Sequence, residues 1–468
     1  MMKKTTFALY FGNRGVFPAK FIAEARQEMA RVLSEMGYDY IMLDETVTKY
    51  GAVETLREGE IYSDFLRKNY GKFGGVILSL PNFGDETGAV VALKNAGVPI
   101  LIKAYPDVLD KMGPADRRDA FCGKFSIQDV FVQYGIKFTT LLPHTVSPST
   151  MIFKKHIDYF DRVCRVVNGM KHLTIGAIGA RTTAFKTVRI DELTLQKNNI
   201  TVETYDLSDI FKKVQNINVS STEYKEKIEN FKNYANWNSV TENAFSKIIK
   251  LGVVLDNVIK ENKLDALALR CWIELQEQLG ISACILLSEY NNRLIPAACE
   301  VDIGSAVMMY ALQQASGESA ACLDWNNNYE DNENKCILFH CGPVPQNMMK
   351  EKGIVTDNLI IAGSYGPGVS FGCNIGRIKS GPFTYSNLLT SDGKIKFYVG
   401  EGKFTDDMIP ENFFGCAGVA EIADLQKVML KIGKQGYRHH TSITSEYISA
   451  PLIEAFVNYL GFELTSLD

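Results

Sequence analysis

A chain of 468 residues exceeds what one hydrophobic core organises, so two or three domains are expected. With 46% hydrophobic and 22% charged residues and a net charge of −4, it has the composition of an ordinary soluble globular protein. That balance excludes the basic footprint of a nucleic-acid binder and the cationic face drawn to an anionic membrane, and no apolar run nears the roughly 20 residues that span a bilayer. The start, MMKKTTFALYFGNRG, has a short apolar run cut off by Arg14 and a glycine turn, with no small-residue cleavage site. Ten cysteines without a CxxC pair fit reduced thiols, and a cytoplasmic location is expected.

In chain order, Thr5–Phe11 predicts a strand that GNRG turns into a helix over about 18–36, with Phe21, Ile22, Ala25, Met29, Val32 and Leu33 on one face. Strands follow at 38–43, 75–80 and 98–103, with helices near 52–58 and 87–95 between them. This alternation predicts a parallel sheet covered by helices. A second α/β unit opens with strands at 173–178 and 202–205, continues through helices at 208–214 and 222–260, and carries buried strands at 264–269 and 294–299. The acidic, Asn-rich stretch LDWNNNYEDNENK at 323–335 reads as a solvated loop. Beyond it, short strands at 336–340, 358–363, 372–378, 381–389 and 394–399 predict an antiparallel sheet or barrel, followed by helices at 422–435 and 445–460. The expected fold is therefore two Rossmann-like α/β domains, 1–168 and 169–302, followed by a β-rich domain with terminal helices, 303–468.

Glu274 and Asp302 each follow an apolar strand, and strand ends are where α/β proteins place their chemistry. With His440 they form a hard, oxygen-rich donor set suited to Mn²⁺ or Mg²⁺. Structural alternatives stand beside that reading: Glu274 can pair with Arg270, and Asp302 can cap the helix that begins near Gly304. The glycine turns at 12–15 and 176–180 match neither a dinucleotide fingerprint nor a P-loop, although Arg14 places a cation at a strand-end loop. His340 and His439 read equally well as capping or surface residues.

The motifs FGNRGVFP, ALRCWIELQ, ACEVDIGSA, LFHCGPVP, IGRIKSGPFTYSNL, YVGEGKFTDD, GCAGVAEI and GYRHHTSIT together resemble the L-fucose/L-arabinose isomerase superfamily, in its compact fucose isomerase-like branch. The resemblance runs over nearly the whole chain. It implies reversible aldose–ketose isomerisation through a cis-enediol(ate), with an acid–base carboxylate pair and a divalent cation, usually Mn²⁺ with Mg²⁺ or Co²⁺ as substitutes. By motif the metal falls to Glu274, Asp302 and His440, with Glu277, Glu289 and Glu300 as neighbouring alternatives for the first and His439 for the last. Glu274 and Asp302 would also be the catalytic pair, and Arg14, Trp272, His340 and His439 would hold the sugar. The resemblance further implies a trimer or hexamer in which Arg14 reaches a neighbour's site. The substrate it implies is L-fucose, L-arabinose or a 6-sulfo-hexose such as sulfoquinovose, whose anionic tail would call on Arg14, Lys186, Arg189 or Lys379. A non-catalytic sugar-binding protein and a nicotinamide-dependent sugar oxidoreductase are the alternatives.

Overall fold

The computed structural model describes residues 2–467 and divides into two units, the first formed by residues up to 168 with 451–461, the second by 169–450 with 462 onwards. In the first unit the apolar runs become strands β1 (Phe7–Phe11), β2 (Tyr40–Met42), β3 (Gly75–Leu80) and β4 (Ile100–Ala104), all parallel and ordered β2-β1-β3-β4. Alternation along β1 serves two cores. Ala8 and Tyr10 pack with Val76, Leu78 and Ile102, while Phe7, Leu9 and Phe11 pack with Ile22, Met29, Ile77 and Leu101 on the other face. A strand buried on both faces must be apolar throughout, which is why this sheet is legible in the sequence. The stretch 105–172, which the pattern left without elements, carries helices Ala120–Gln133 and Met151–Met170.

The second unit opens with another four-stranded parallel sheet. It comprises β5 (Thr174–Ile178), β6 (Thr201–Tyr205), β7 (Ala266–Leu269) and β8 (Ala297–Cys299), in the order β6-β5-β7-β8. The helix expected over 222–260 is two helices, Thr222–Tyr234 and Glu242–Asn262, because Thr241 caps the second by accepting from the Ala244 amide. The expected strand 294–299 is shorter, Ala297–Cys299, because Leu294 adopts a left-handed backbone (φ 64°) that turns the chain after helix Cys284–Asn292.

The remaining strands are β9 (Ala320–Asn328), β10 (Lys335–His340), β11 (Ile354–Thr356), β12 (Cys373–Arg377), β13 (Gly381–Ser391), β14 (Lys394–Phe404), β15 (Cys416–Glu421), β16 (His440–Thr444) and β17 (Glu463–Leu464). They form one sheet ordered β11-β12-β15-β10-β9-β16-β13-β14-β17, and an added β14–β15 pairing closes six of them into a barrel. Two expectations fail here. Residues 358–363 are not a strand but the start of helix Leu359–Tyr365, capped by Asn358, whose side chain accepts from the Ile360 and Ile361 amides. The loop expected from 323 onwards is strand as far as Asn328: β9 is buried at Ala320–Leu323 and turns polar only where it leaves the core. Among the described residues no helix is long and apolar enough to cross a membrane.

Candidate active site

His440 opens β16 directly opposite Asp324 on β9 in an antiparallel ladder, so both side chains leave the same face of the sheet. A third group comes from the turn between β8 and helix Ile303–Ser316. There Glu300 and Val301 both hold left-handed backbone, with φ of 62° and 58°. Such conformations cost of order 1–3 kcal/mol each in non-glycine residues and persist only where surrounding structure enforces them. The enforced turn aims Glu300 at His440.

The three groups meet at their tips. His440 Nε2 lies 3.1 Å from Glu300 Oε2 and 3.3 Å from Asp324 Oδ1. All three atoms are buried, and none makes a hydrogen bond. His439 joins at the rim, its Nε2 3.5 Å from Asp324 Oδ1, and the ligand atoms of Glu300, His439 and His440 lie within 4.8 Å of one another. Buried polar atoms left unpaired are costly, and two carboxylates with an imidazole are the donor set that a hard divalent cation satisfies.

Asp302 stands behind this cluster. Its Oδ2 accepts from His440 Nδ1 at 2.7 Å and from Ser305 Oγ at 2.7 Å, while Oδ1 accepts from the Ser305 amide at 3.0 Å and from Arg438. Fully buried, it caps the helix, neutralises Arg438 and, by pairing with Nδ1, orients His440 so that Nε2 faces Glu300 and Asp324. Burial alone would push the Asp302 carboxyl up; Arg438 and His440 outweigh it and hold the group well below the usual carboxylate range. Burial pulls His440 down, but Cys322 and Asp302 more than reverse this and raise it well above the ordinary imidazole value. The field at His440 thus favours a positive charge there, whether proton or metal ion.

Of the residues singled out in the sequence, the structure brings Asp302, His440 and His439 together, with His340 alongside, its ring centroid 5.6 Å from that of His440. Glu274 is elsewhere. It forms a two-pronged ion pair with Arg270 at the end of β7, is 39% exposed, and belongs to no cluster of potential ligand atoms among the described residues. Arg270 also donates to the Ala180 and Arg181 carbonyls, so the pair pins the β5 and β7 strand ends to each other. Glu289 is likewise committed, to Lys227 and Arg293. Trp272 packs edge-on against Phe185 at 5.1 Å, and Phe185 lies 6.1 Å from His439, forming an aromatic wall beside the cluster. In the first unit, Arg14 pairs with Glu86 and lies over the Phe83 ring at 4.2 Å. Asp324 was missed because its asparagine-rich surroundings read as loop; the apolar AACL immediately before it was the available signal.

The family description "Fucose/sulfoquinovose isomerase, N-terminal domain" matches residues 8–171, and "L-fucose isomerase, C-terminal domain" matches residues 338–467. The chain belongs to the fucose/sulfoquinovose isomerase family. It is an enzyme of the aldose–ketose isomerase class. Within that family, a sulfoquinovose isomerase of Priestia aryabhattai is 22% identical over 86% of this chain and 87% of its own length. Those of Alkalicoccus urumqiensis and Clostridium sp. (strain MSTE9) are 22% and 24% identical, over 66% and 61% of this chain and 68% and 63% of their own lengths.

Proposed function

We propose that this isomerase interconverts a 6-deoxy-6-sulfo-aldose of the sulfoquinovose type and its ketose, with a divalent cation, Mn²⁺ first among candidates, held by Glu300, Asp324 and His440. The observation that carries the reading is the convergence of three buried, unpartnered donor atoms on one point. Bound there, the cation supplies Lewis acidity towards the sugar carbonyl and its neighbouring hydroxyl.

The chain's own residues do the rest. One of the two carboxylates takes the C2 proton, giving a cis-enediol(ate), and the other moves the proton between O1 and O2 before a proton returns at C1. Asp324, 21% exposed against 8% for Glu300, is the carboxylate that substrate reaches more readily. Asp302 and Arg438 hold His440 in register, and the Trp272–Phe185–His439 wall offers an apolar surface for one face of the sugar. A sulfonated substrate is supported by Arg181 and Arg189, which line a cleft of about 300 Å³ whose wall includes Val301, next to Glu300. Arg14, supplied by a neighbouring subunit of a trimer or hexamer, belongs to the same reading.

The test is a screen of aldoses, sulfonated ones included, on protein stripped by chelator and then reloaded with Mn²⁺. Deuterium incorporated from heavy water at C1 of the ketose reads the proton transfer. Activity is expected to vanish on stripping and return with Mn²⁺, with the sulfonated aldose preferred. Full turnover in protein shown metal-free by elemental analysis would overturn the metal assignment, and preference for L-fucose would overturn the substrate.

A further inference from the structure

A second cluster of donor atoms lies in the same unit, built from sulfur. Ten cysteines are free, yet Cys284 Sγ lies 3.4 Å from Cys341 Sγ and 3.8 Å from Cys373 Sγ, and all three sulfurs fall within 4.8 Å of one another. We propose that Cys284, Cys341 and Cys373 bind a thiophilic d¹⁰ cation of the Zn²⁺ kind, at a site chemically separate from the carboxylate–histidine cluster.

The spacing carries the inference. Around zinc at a Zn–S distance of about 2.3 Å, tetrahedral sulfurs stand about 3.8 Å apart. A disulfide would need sulfurs at about 2.05 Å and would leave the third thiol over. A fourth donor is at hand, since Cys299 Sγ lies within 4.8 Å of Cys341 Sγ.

The fold converges on this point from three separate segments. Cys284 is the first residue of helix Cys284–Asn292, where the helix dipole favours a thiolate. Cys373 begins β12, locked to the helix start by the Ser282 amide donating to Phe371 O at 2.7 Å and the Ile285 amide donating to Gly372 O at 2.8 Å. Cys341 follows β10, its amide donating to His340 Nδ1 at 2.9 Å. Two glycines make the approach possible. A Cβ at Gly372 would sit 2.0 Å from Ser282 O, and one at Gly342 would sit 2.5 Å from the Asn374 amide nitrogen. Cys416, by contrast, donates its thiol to Asn374 O at 3.1 Å and stays outside the set. Cys341 is only partly buried, which gives a cation its way in.

Softness separates the two sites. Thiolates select zinc-like ions, whereas two carboxylates and one imidazole accept Mn²⁺ or Mg²⁺. Capture releases each coordinating thiol's proton to solvent.

The test uses the full chain, reduced and stripped, in wild-type and His440→Ala forms; the latter removes a donor from the hard cluster. Cobalt(II) is added as an optical reporter, and Zn²⁺ retention is counted by elemental analysis after dialysis. Expected are a thiolate-to-cobalt charge-transfer band in both forms and one retained equivalent of Zn²⁺ in His440→Ala. Cys284→Ser and Cys373→Ser should lose the band and weaken Zn²⁺ by more than the roughly 10–100-fold cost of an outer-shell change. Absence of the band and of retained Zn²⁺ from folded, reduced wild-type protein would overturn the proposal, and so would a band that persists in both serine variants. Because the wild-type spectrum decides by itself, a serine variant that fails to fold leaves the test intact.

Discussion

Replacing Asp302 with Asn separates a group that binds metal from one that positions a ligand. Asn keeps the shape and, through Oδ1, the cap on the Ser305 amide. It removes the negative charge facing Arg438, whose side chain is 2% exposed, and places a donor or a neutral acceptor where Oδ2 receives the proton of His440 Nδ1. Leaving a buried charge without its partner costs about 3–5 kcal/mol. At roughly 1.6 °C per kcal/mol for a unit of this size, the thermal midpoint should fall by about 5–8 °C. Mn²⁺ affinity should weaken about 10–100-fold, the usual cost of losing an outer-shell partner, and should be recoverable with excess metal. Glu300→Gln should behave in the opposite way. Its Oε2 has no hydrogen bond to lose and no buried guanidinium depends on it, so the midpoint should fall less than in Asp302→Asn while metal binding collapses. Calorimetry and Mn²⁺ titration on the two variants read both quantities. If Asp302→Asn abolishes metal binding without destabilising the fold, and Glu300→Gln keeps its metal, the ligand assignment is refuted.

Asp324→Asn should fold normally and lose on the order of 10²–10⁴ in kcat, which single-substrate kinetics with saturating Mn²⁺ will measure; near-normal turnover would remove Asp324 from the chemistry. Glu274→Gln breaks a partly exposed ion pair and should cost only about 0–1 kcal/mol, with metal content unchanged by elemental analysis. A metal-free Glu274→Gln would restore the motif-based assignment. In the first unit, burial lowers the Lys124 ammonium to about 8, below its unfolded value near 10.4. The unfolded chain therefore binds more protons between these values, and stability should rise by up to about 3 kcal/mol as pH climbs from 8 to 10.4. Lys124→Met should flatten that rise in pH-resolved denaturation and stabilise the protein at pH 7; an unchanged slope would contradict it.

The sequence by itself determined the α/β architecture, because strands such as β1 and β3 are buried on both faces and must be apolar throughout. It also determined the family, whose motifs persist as local strings, and singled out His440 and the turn ACEVDIGSA. It could not assign roles within that turn. Glu300 and Asp302 are two residues apart, and only the enforced left-handed backbone at Glu300 and Val301 sends one carboxylate to His440 Nε2 and the other to Nδ1. Asp324 was decided by the ladder: its place opposite His440 comes from the register of two strands more than a hundred residues apart, and its polar flank exists because β9 runs out of the core there. Glu274 shows the reverse. A carboxylate after a buried strand looks catalytic in sequence, but Glu274 opens the next helix within reach of Arg270 at the β7 end, and that nearer cation takes it. Donor identity is a local property that a sequence carries; convergence of donors is set by the pairing of distant strands, and that belongs to the tertiary structure alone.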